Sequence, residues 1–218
     1  MIARNLKHLR EIIPENVSLL AVSKFQPPGL IMEAYRAGQR LFGESRSPEL
    51  LKKIPLLPKD IQWHFIGHLQ TNKVKDVVGR VALIQSVDSL RLLNAIQRQA
   101  QKSGIVQDVL LQIYIAGEET KQGFLPEEAD GINPLNLPNV NICGLMGMAT
   151  FTDDKEKVRT EFRQLKKLFD DLKADSYSSN PSFIHCSMGM TGDFSIALEE
   201  GSTMVRIGSA IFPPRPQK

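Results

Sequence analysis

Lys24 closes the apolar run Leu19-Leu20-Ala21-Val22 and is soon followed by Pro27-Pro28, so it stands where a strand must stop. Partial desolvation favours the neutral form of a lysine, and a neutral amine attacks an aldehyde to form an imine. A strand-end lysine also snorkels to solvent, and position alone does not separate the two readings. A second group lies near the C-terminus, in Cys186-Ser187-Met188-Gly189-Met190-Thr191-Gly192-Asp193 and in Gly201-Ser202-Thr203-Met204-Val205-Arg206-Ile207-Gly208-Ser209. Both segments leave an apolar strand through glycine and hydroxyl residues. Backbone N–H groups there approach an anion closely, and Ser187 and Ser209 can donate hydroxyl hydrogen bonds. Glycines also serve ordinary turns; two such exits in succession favour a phosphate.

Arg206 sits inside an apolar strand between Val205 and Ile207, where an unpaired charge is costly, so it needs an acceptor. Glu44 or Glu199 would make a structural ion pair; the nitrogen of a cofactor ring or a phosphate would make a binding site. Facing a pyridine nitrogen, an arginine keeps that nitrogen unprotonated and weakens the ring as an electron sink. His64 and His68 are separated by a strand end and share no helical face, so they do not read as a metal pair. His185 and Cys186 are adjacent on a strand and point to opposite faces, which argues against a nucleophile and base. Met146, Met148, Met188 and Met190 follow or end strands and read as pocket lining.

These residues need a scaffold that gathers strand ends. Short apolar runs alternate with segments of helical period, the pattern of βα units around a parallel sheet. Strands are expected at Leu19 to Ser23, Arg40 to Phe42, Trp63 to Ile66, Ala82 to Val87, Val109 to Ile115, Asn141 to Met146, Phe183 to Cys186 and Met204 to Ile207. Helices are expected at Ile2 to Ile13, Leu30 to Ala37, Leu69 to Val78, Ser89 to Lys102, Lys155 to Lys173 and Phe194 to Glu200. Pro134 and Gly131 shorten the crossover between Pro126 and Pro138, and Ala174 to Pro181 reads as a surface loop. Eight strands of this kind predict an α/β fold, a single TIM-type (β/α)8 barrel over residues 1–218 whose site lies at the carboxyl ends of the strands.

Composition narrows the function. The 218 residues carry 27 basic and 24 acidic side chains, intermixed, with a net charge of +3 and no basic block of the kind that neutralises a run of phosphates, so nucleic acid is not an expected partner. Two cysteines without metal-type spacing suggest a reducing cytoplasm. The N-terminus becomes charged too early for a signal peptide, and no stretch suits a bilayer.

Taken together, the residues closely resemble the pyridoxal phosphate homeostasis protein family, single-barrel relatives of the alanine racemase N-terminal domain, known as fold type III. The matching blocks are Ala21-Val22-Ser23-Lys24, Phe42-Gly43-Glu44, Trp63-His64-Phe65-Ile66-Gly67-His68-Leu69-Gln70-Thr71-Asn72-Lys73 and Ser86-Val87-Asp88-Ser89-Leu90. They continue through Glu119-Thr120-Lys121-Gln122-Gly123-Phe124, Gly144-Leu145-Met146-Gly147-Met148-Ala149, Ser187-Met188-Gly189-Met190 and Gly201 to Phe212. After Glu44 the chain departs from the family, which usually carries Asn or Ser and then a segment ending Val-Gln-Glu, where this chain has Ser45-Arg46 and Ser47-Pro48-Glu49.

The resemblance implies a pyridoxal 5′-phosphate cofactor held as a Schiff base on Lys24, with Ser187, Gly208 and Ser209 at the phosphate and Arg206 near the ring. It implies a cytoplasmic monomer that carries or buffers the cofactor, with pyridoxal-dependent apoenzymes as partners and little catalysis of its own. The alternative is a pyridoxal-dependent amino-acid racemase. Such an enzyme needs a second domain and a second base facing the lysine, typically a tyrosine, and only Tyr35, Tyr114 and Tyr177 are present.

Overall fold

Side chains alternate in direction along a strand, so the two-residue period divides this sequence into an inside and an outside. The computed structural model describes residues 1–117 and 122–214. Its strands are β1 (Ser18–Val22), β2 (Leu41–Glu44), β3 (Gln62–Phe65), β4 (Leu83–Val87), β5 (Gln107–Ile113), β6 (Val140–Gly147), β7 (His185–Met190) and β8 (Met204–Ile207). All pair in parallel and in chain order, and β8 returns to β1 to close the expected barrel. Leu20, Leu83, Leu110, Cys143, Met146 and Met204 form a small inner core. A larger outer core, including Phe42, Phe65, Val87, Leu111 and Phe162, joins the barrel wall to its helices.

The helices are α1 (Ile2–Ile12), α2 (Pro28–Arg36), α3 (Ser47–Lys53), α4 (Leu90–Lys102), α5 (Pro126–Asp130), α6 (Lys155–Ala174) and α7 (Phe194–Glu199). In α4, Leu92, Leu93, Ile96 and Ala100 are buried along one face, and Ser89 caps the start by accepting from Leu92 N at 3.3 Å. α1 precedes the first strand, packs on α2, and donates from Asn5 Nδ2 to Ile211 O at 3.1 Å. It therefore covers wall beside the exit of β8, where no helix follows among the described residues. None of the described helices is long and apolar enough to cross a membrane.

Three expectations change. Leu69 to Val78 is not an α-helix; only a 3-10 turn over Thr71–Asp76 forms, followed by Gly79 with φ of +76°. α3 was not anticipated, although Pro48 in its first turn and an acidic Glu49 beside it are ordinary start signals. β7 begins later and runs further than Phe183 to Cys186, so Ser187 to Met190 is strand. The crossover after β5 is short, as expected, holding α5 and a 3-10 turn at Pro134–Asn136. The Glu119 to Lys121 part of one family block and the Arg215-Pro216 part of the tail lie outside the described residues.

Between α6 and β7, the loop containing Tyr177 is anchored by aromatic stacking. Phe183 lies 4.3 Å from Tyr177 and 5.1 Å from Phe169, centroid to centroid. The Tyr177 hydroxyl is buried with no hydrogen-bond partner among the described residues, and burial raises its pKa beyond the ordinary phenol range. An unpaired buried hydroxyl costs about 1–3 kcal/mol. Tyr177→Phe is therefore expected to leave stability unchanged or raise it by about 1 kcal/mol, whereas Tyr177→Ala should cost about 3–5 kcal/mol; urea denaturation of both variants measures this.

Candidate functional site

Pairing of β1 with β8 sets Leu20 opposite Arg206. On β1 the inward series Leu20, Val22 extends to Lys24, one step past the strand, and on β8 Met204 and Arg206 point inward while Val205 and Ile207 join the outer core. Val22, Lys24, Arg206, Gly208 and Ser209 consequently line one cavity of about 340 Å3 at the carboxyl end of the barrel. That volume lies at the lower end of the roughly 300–1,000 Å3 range of small-molecule pockets.

The opposite wall comes from two bulged strands. Between β7 and β8 the pairing passes from Ser187↔Met204 to Met190↔Arg206, three steps against two. The extra residue is accommodated at Gly189, whose φ is +93° and where a Cβ would lie 2.6 Å from Ala197 Cβ. Met188 therefore packs outward and Met190 reaches the cavity, with Thr191 and Gly192 beside it. On β6 the same device occurs near Gly144, φ +143°, after which Met146 enters the inner core and Met148 the cavity. Of the four methionines expected to line a pocket, Met148 and Met190 do so, and Met146 and Met188 are core.

Arg206 is buried, and its hydrogen bonds go to neutral oxygens, with the charge of Asp193 favouring its protonated form. Nη1 donates to Ser187 O and Ser187 Oγ at 2.8 Å each, and Nη2 donates to Gly147 O at 2.8 Å. Neither expected carboxylate reaches it. Glu44 lies on the outward side of β2 and pairs with Lys53, and Glu199 lies on the outer helix α7 and pairs with Arg159. Burial lowers the Arg206 pKa to about 10, so it stays protonated at neutral pH. A cation of this kind at a cavity wall attracts an anion or a lone pair.

Ser187 is the expected site residue that does not line the cavity. Its hydroxyl donates to Gln85 Oε1 at 2.7 Å and accepts from Arg206, so it fixes the guanidinium from beneath. Gly208 N donates to Thr191 Oγ1 at 3.4 Å, drawing the exits of β7 and β8 together. A Cβ on Gly208 would lie 3.3 Å from Val22 O, so a side chain there would fill the gap beside β1. Thr191, Gln26 and Ile66 were not singled out for this role; Thr191 was readable from its place beside Gly192, and which of the four methionines reach the cavity depends on the two bulges.

Below this layer, His64 is buried and its Nδ1 accepts from Gln85 Nε2 at 2.9 Å. Burial, with the nearby His185, lowers its pKa to about 3. Cys143 and Cys186 are buried thiols whose pKa values burial pushes up to about 12, which leaves them inert as nucleophiles at neutral pH. Among the described residues no cluster of His, Cys, Asp and Glu could hold a metal ion.

The family described as alanine racemase, N-terminal domain, matches residues 1–216. The chain is 46% identical over 200 residues to the pyridoxal phosphate homeostasis protein of Aquifex aeolicus, covering 90% of this chain and 86% of that one. It is 34% identical to PipY of Synechococcus elongatus PCC7942, covering 97% of this chain and all of the other, with a TM-score of 0.92 to the structure without PLP and 0.87 to the structure with PLP bound. An alanine racemase of Clostridium difficile, at 18% identity and a TM-score of 0.76, shares the fold, and this chain covers 57% of its length.

His64 generates a pH prediction. Its folded pKa is depressed, so between about 3 and 6.5 the unfolded chain binds a proton that the folded chain excludes. Stability from this group is present above pH 6.5 and is lost as pH falls toward 3, by at most about 1.4 kcal/mol per pH unit. Unfolding free energies measured for wild type and His64→Asn between pH 7 and 5 should show a shallower acid decline in the variant.

Proposed function

The chain belongs to the pyridoxal phosphate homeostasis protein family, built on the alanine racemase N-terminal domain, and from that premise we propose that it binds pyridoxal 5′-phosphate at the barrel mouth and carries or buffers it. The observation that carries this reading is the meeting of Lys24, Arg206 and the Thr191 and Gly208-Ser209 turns in one cavity. PipY, a relative of nearly the same extent, has a structure with PLP bound, which supports the same ligand here.

Each residue has a distinct task. Lys24 supplies the amine for an aldehyde. Gly208 and Ser209, with Thr191, offer backbone N–H groups and hydroxyls to a phosphate, and Ile66, Met148 and Met190 give the apolar surface a ring needs. Arg206 has only donors, so toward a pyridine nitrogen it donates and keeps a proton off. Ser187 contributes by holding Arg206 and Gln85 in register. When bound, the cofactor supplies an aldehyde that holds amines and a ring that withdraws electrons from them. An arginine partner reduces that withdrawal, which suits retention over turnover.

The racemase reading is weaker on the same ground. Among the described residues lining the cavity, Lys24 and Arg206 are the only charged groups. Tyr35 donates to Asp60 at 2.7 Å outside the barrel, and Tyr177 is stacked on Phe183, so neither is a second base. The protein is a cytoplasmic monomer in this account, with pyridoxal-dependent apoenzymes as recipients; the two buried, unbridged cysteines support a reducing compartment.

Visible absorption of the protein mixed with pyridoxal 5′-phosphate, followed by borohydride reduction and peptide mass analysis, tests the reading. Wild type should take up one reduced cofactor on Lys24, and Lys24→Ala none at any site. Arg206→Ala and Ser187→Ala should both weaken cofactor retention, Arg206→Ala by about tenfold or more, with the fold intact by circular dichroism. Unchanged retention in both variants, or a label on another lysine, contradicts it. Sustained conversion of an L-amino acid to its D-form, lost in Lys24→Ala, would favour the racemase instead.

A further inference from the structure

Lys24 is followed by the only described non-glycine residue with positive φ, Phe25 at +65°. A left-handed conformation is disfavoured for an aromatic residue, so something must hold it. Gln26 N closes a turn over Lys24 and Phe25 by donating to Ser23 O at 3.0 Å, and a side chain of α3 grips that turn from outside. Phe25 N donates to Glu49 Oε1 at 2.6 Å. One helical turn further along, Lys53 Nζ donates to Ser23 O at 2.9 Å. The peptide units on both sides of the Lys24 Cα are therefore gripped by side chains of one helix.

The grip is itself fastened. Glu49 and Lys53 are four residues apart and pair at 2.6 Å. Lys53 Nζ also meets Glu44 Oε1 at 2.8 Å, and that same oxygen accepts from Ser23 Oγ at 2.5 Å. The three protons of the Lys53 ammonium thus have three acceptors: Ser23 O, Glu44 Oε1 and Glu49 Oε1. Lys53 and Glu44 are buried, where such pairs exchange poorly with water and lock one geometry. The cluster lies behind the barrel wall, on the opposite side of β1 from the cavity, because Ser23 points outward where Val22 and Lys24 point inward.

We propose that the Glu49–Lys53–Glu44 cluster is the positioning device of Lys24: it sets the direction in which the Lys24 side chain leaves the backbone, and so governs how readily its amine condenses with an aldehyde in the cavity. The inference rests on the cofactor reading above. In the step concerned, Lys24 Nζ forms a bond to the aldehyde carbon and the aldehyde oxygen leaves as water, with no change of oxidation state. Glu49 and Lys53 touch neither reactant. Their effect should therefore appear in covalent capture and not in the binding of the phosphate and ring.

Two probes separate those contributions: pyridoxal 5′-phosphate, and 4′-deoxypyridoxine 5′-phosphate, which keeps the phosphate and ring but has no aldehyde. In the full-length protein, Glu49→Ala should weaken covalent capture at Lys24 by about tenfold, since it removes a charged hydrogen bond at a strained turn. Binding of the deoxy analogue should stay within about twofold, as expected for a site that does not share its contacts. Glu49→Gln keeps an oxygen acceptor for Phe25 N, so it should recover most of the capture; it also serves as the test variant if Glu49→Ala fails to fold. Equal loss with both probes, unchanged capture in Glu49→Ala, or Glu49→Gln as impaired as Glu49→Ala overturns the inference. Wild type with no label on Lys24 overturns the cofactor reading and this inference with it, whereas labelled wild type with an unaffected Glu49→Ala overturns this inference alone.

Discussion

The register between β1 and β8 is the constraint on which the site depends. With Leu20 opposite Arg206, the inward positions of the first strand and of the last strand fall side by side, and both series continue past the strand ends to Lys24 and Gly208. A slip of one residue would turn Ser23 into the cavity and Lys24 into the helix layer. Closure of the barrel enforces this register, because a closed sheet has no free edge along which one pair can slide.

Polarity inside the barrel follows from the same closure. The inner core is apolar toward the amino ends of the strands, with Leu20, Leu83 and Leu110, and becomes polar toward the mouth, with His64, Gln85, Ser187 and Arg206. Each polar member is paired within that layer: Gln85 with His64 and Ser187, and Ser187 with Arg206. Burying a charge in such a layer is tolerable because three neutral oxygens hold the two terminal nitrogens of the guanidinium while it still borders the cavity. The molecule thus keeps a cation in place with neutral oxygens as its hydrogen-bond partners, while the charge of Asp193 favours its protonated form, and it borders the cavity where a phosphate or ring nitrogen would meet it.

Much of this was legible in the amino-acid sequence, for a physical reason: period-two alternation in apolar strands survives without an alignment. All eight strands were found, and Lys24 was expected at the strand end that opens into the cavity, whereas the face of Arg206 was left open between a carboxylate and a cofactor. What was not legible depends on breaks in the period. Gly189 and Gly144 mark bulges that reverse the parity after them, so of the four methionines expected in a pocket Met190 and Met148 reach it while Met146 and Met188 are core. Ser187 lies before the bulge, faces inward, and meets Arg206 where a direct phosphate contact was expected. Glu44 was a candidate partner for Arg206 only while its face was unknown; on β2 it points outward to Lys53. The short helix α3 was not legible because seven residues with apolar side chains only at Leu50 and Leu51 are too few to show a helical period.

A crystal structure of the protein soaked with pyridoxal 5′-phosphate would show whether the cofactor joins Lys24 at the barrel mouth. Continuous density is expected from Lys24 Nζ to the cofactor, with the phosphate over Gly208-Ser209 and Thr191 and the ring between Arg206 and the methionines. A phosphate bound elsewhere on the barrel, or a cofactor joined to any other lysine, would contradict it.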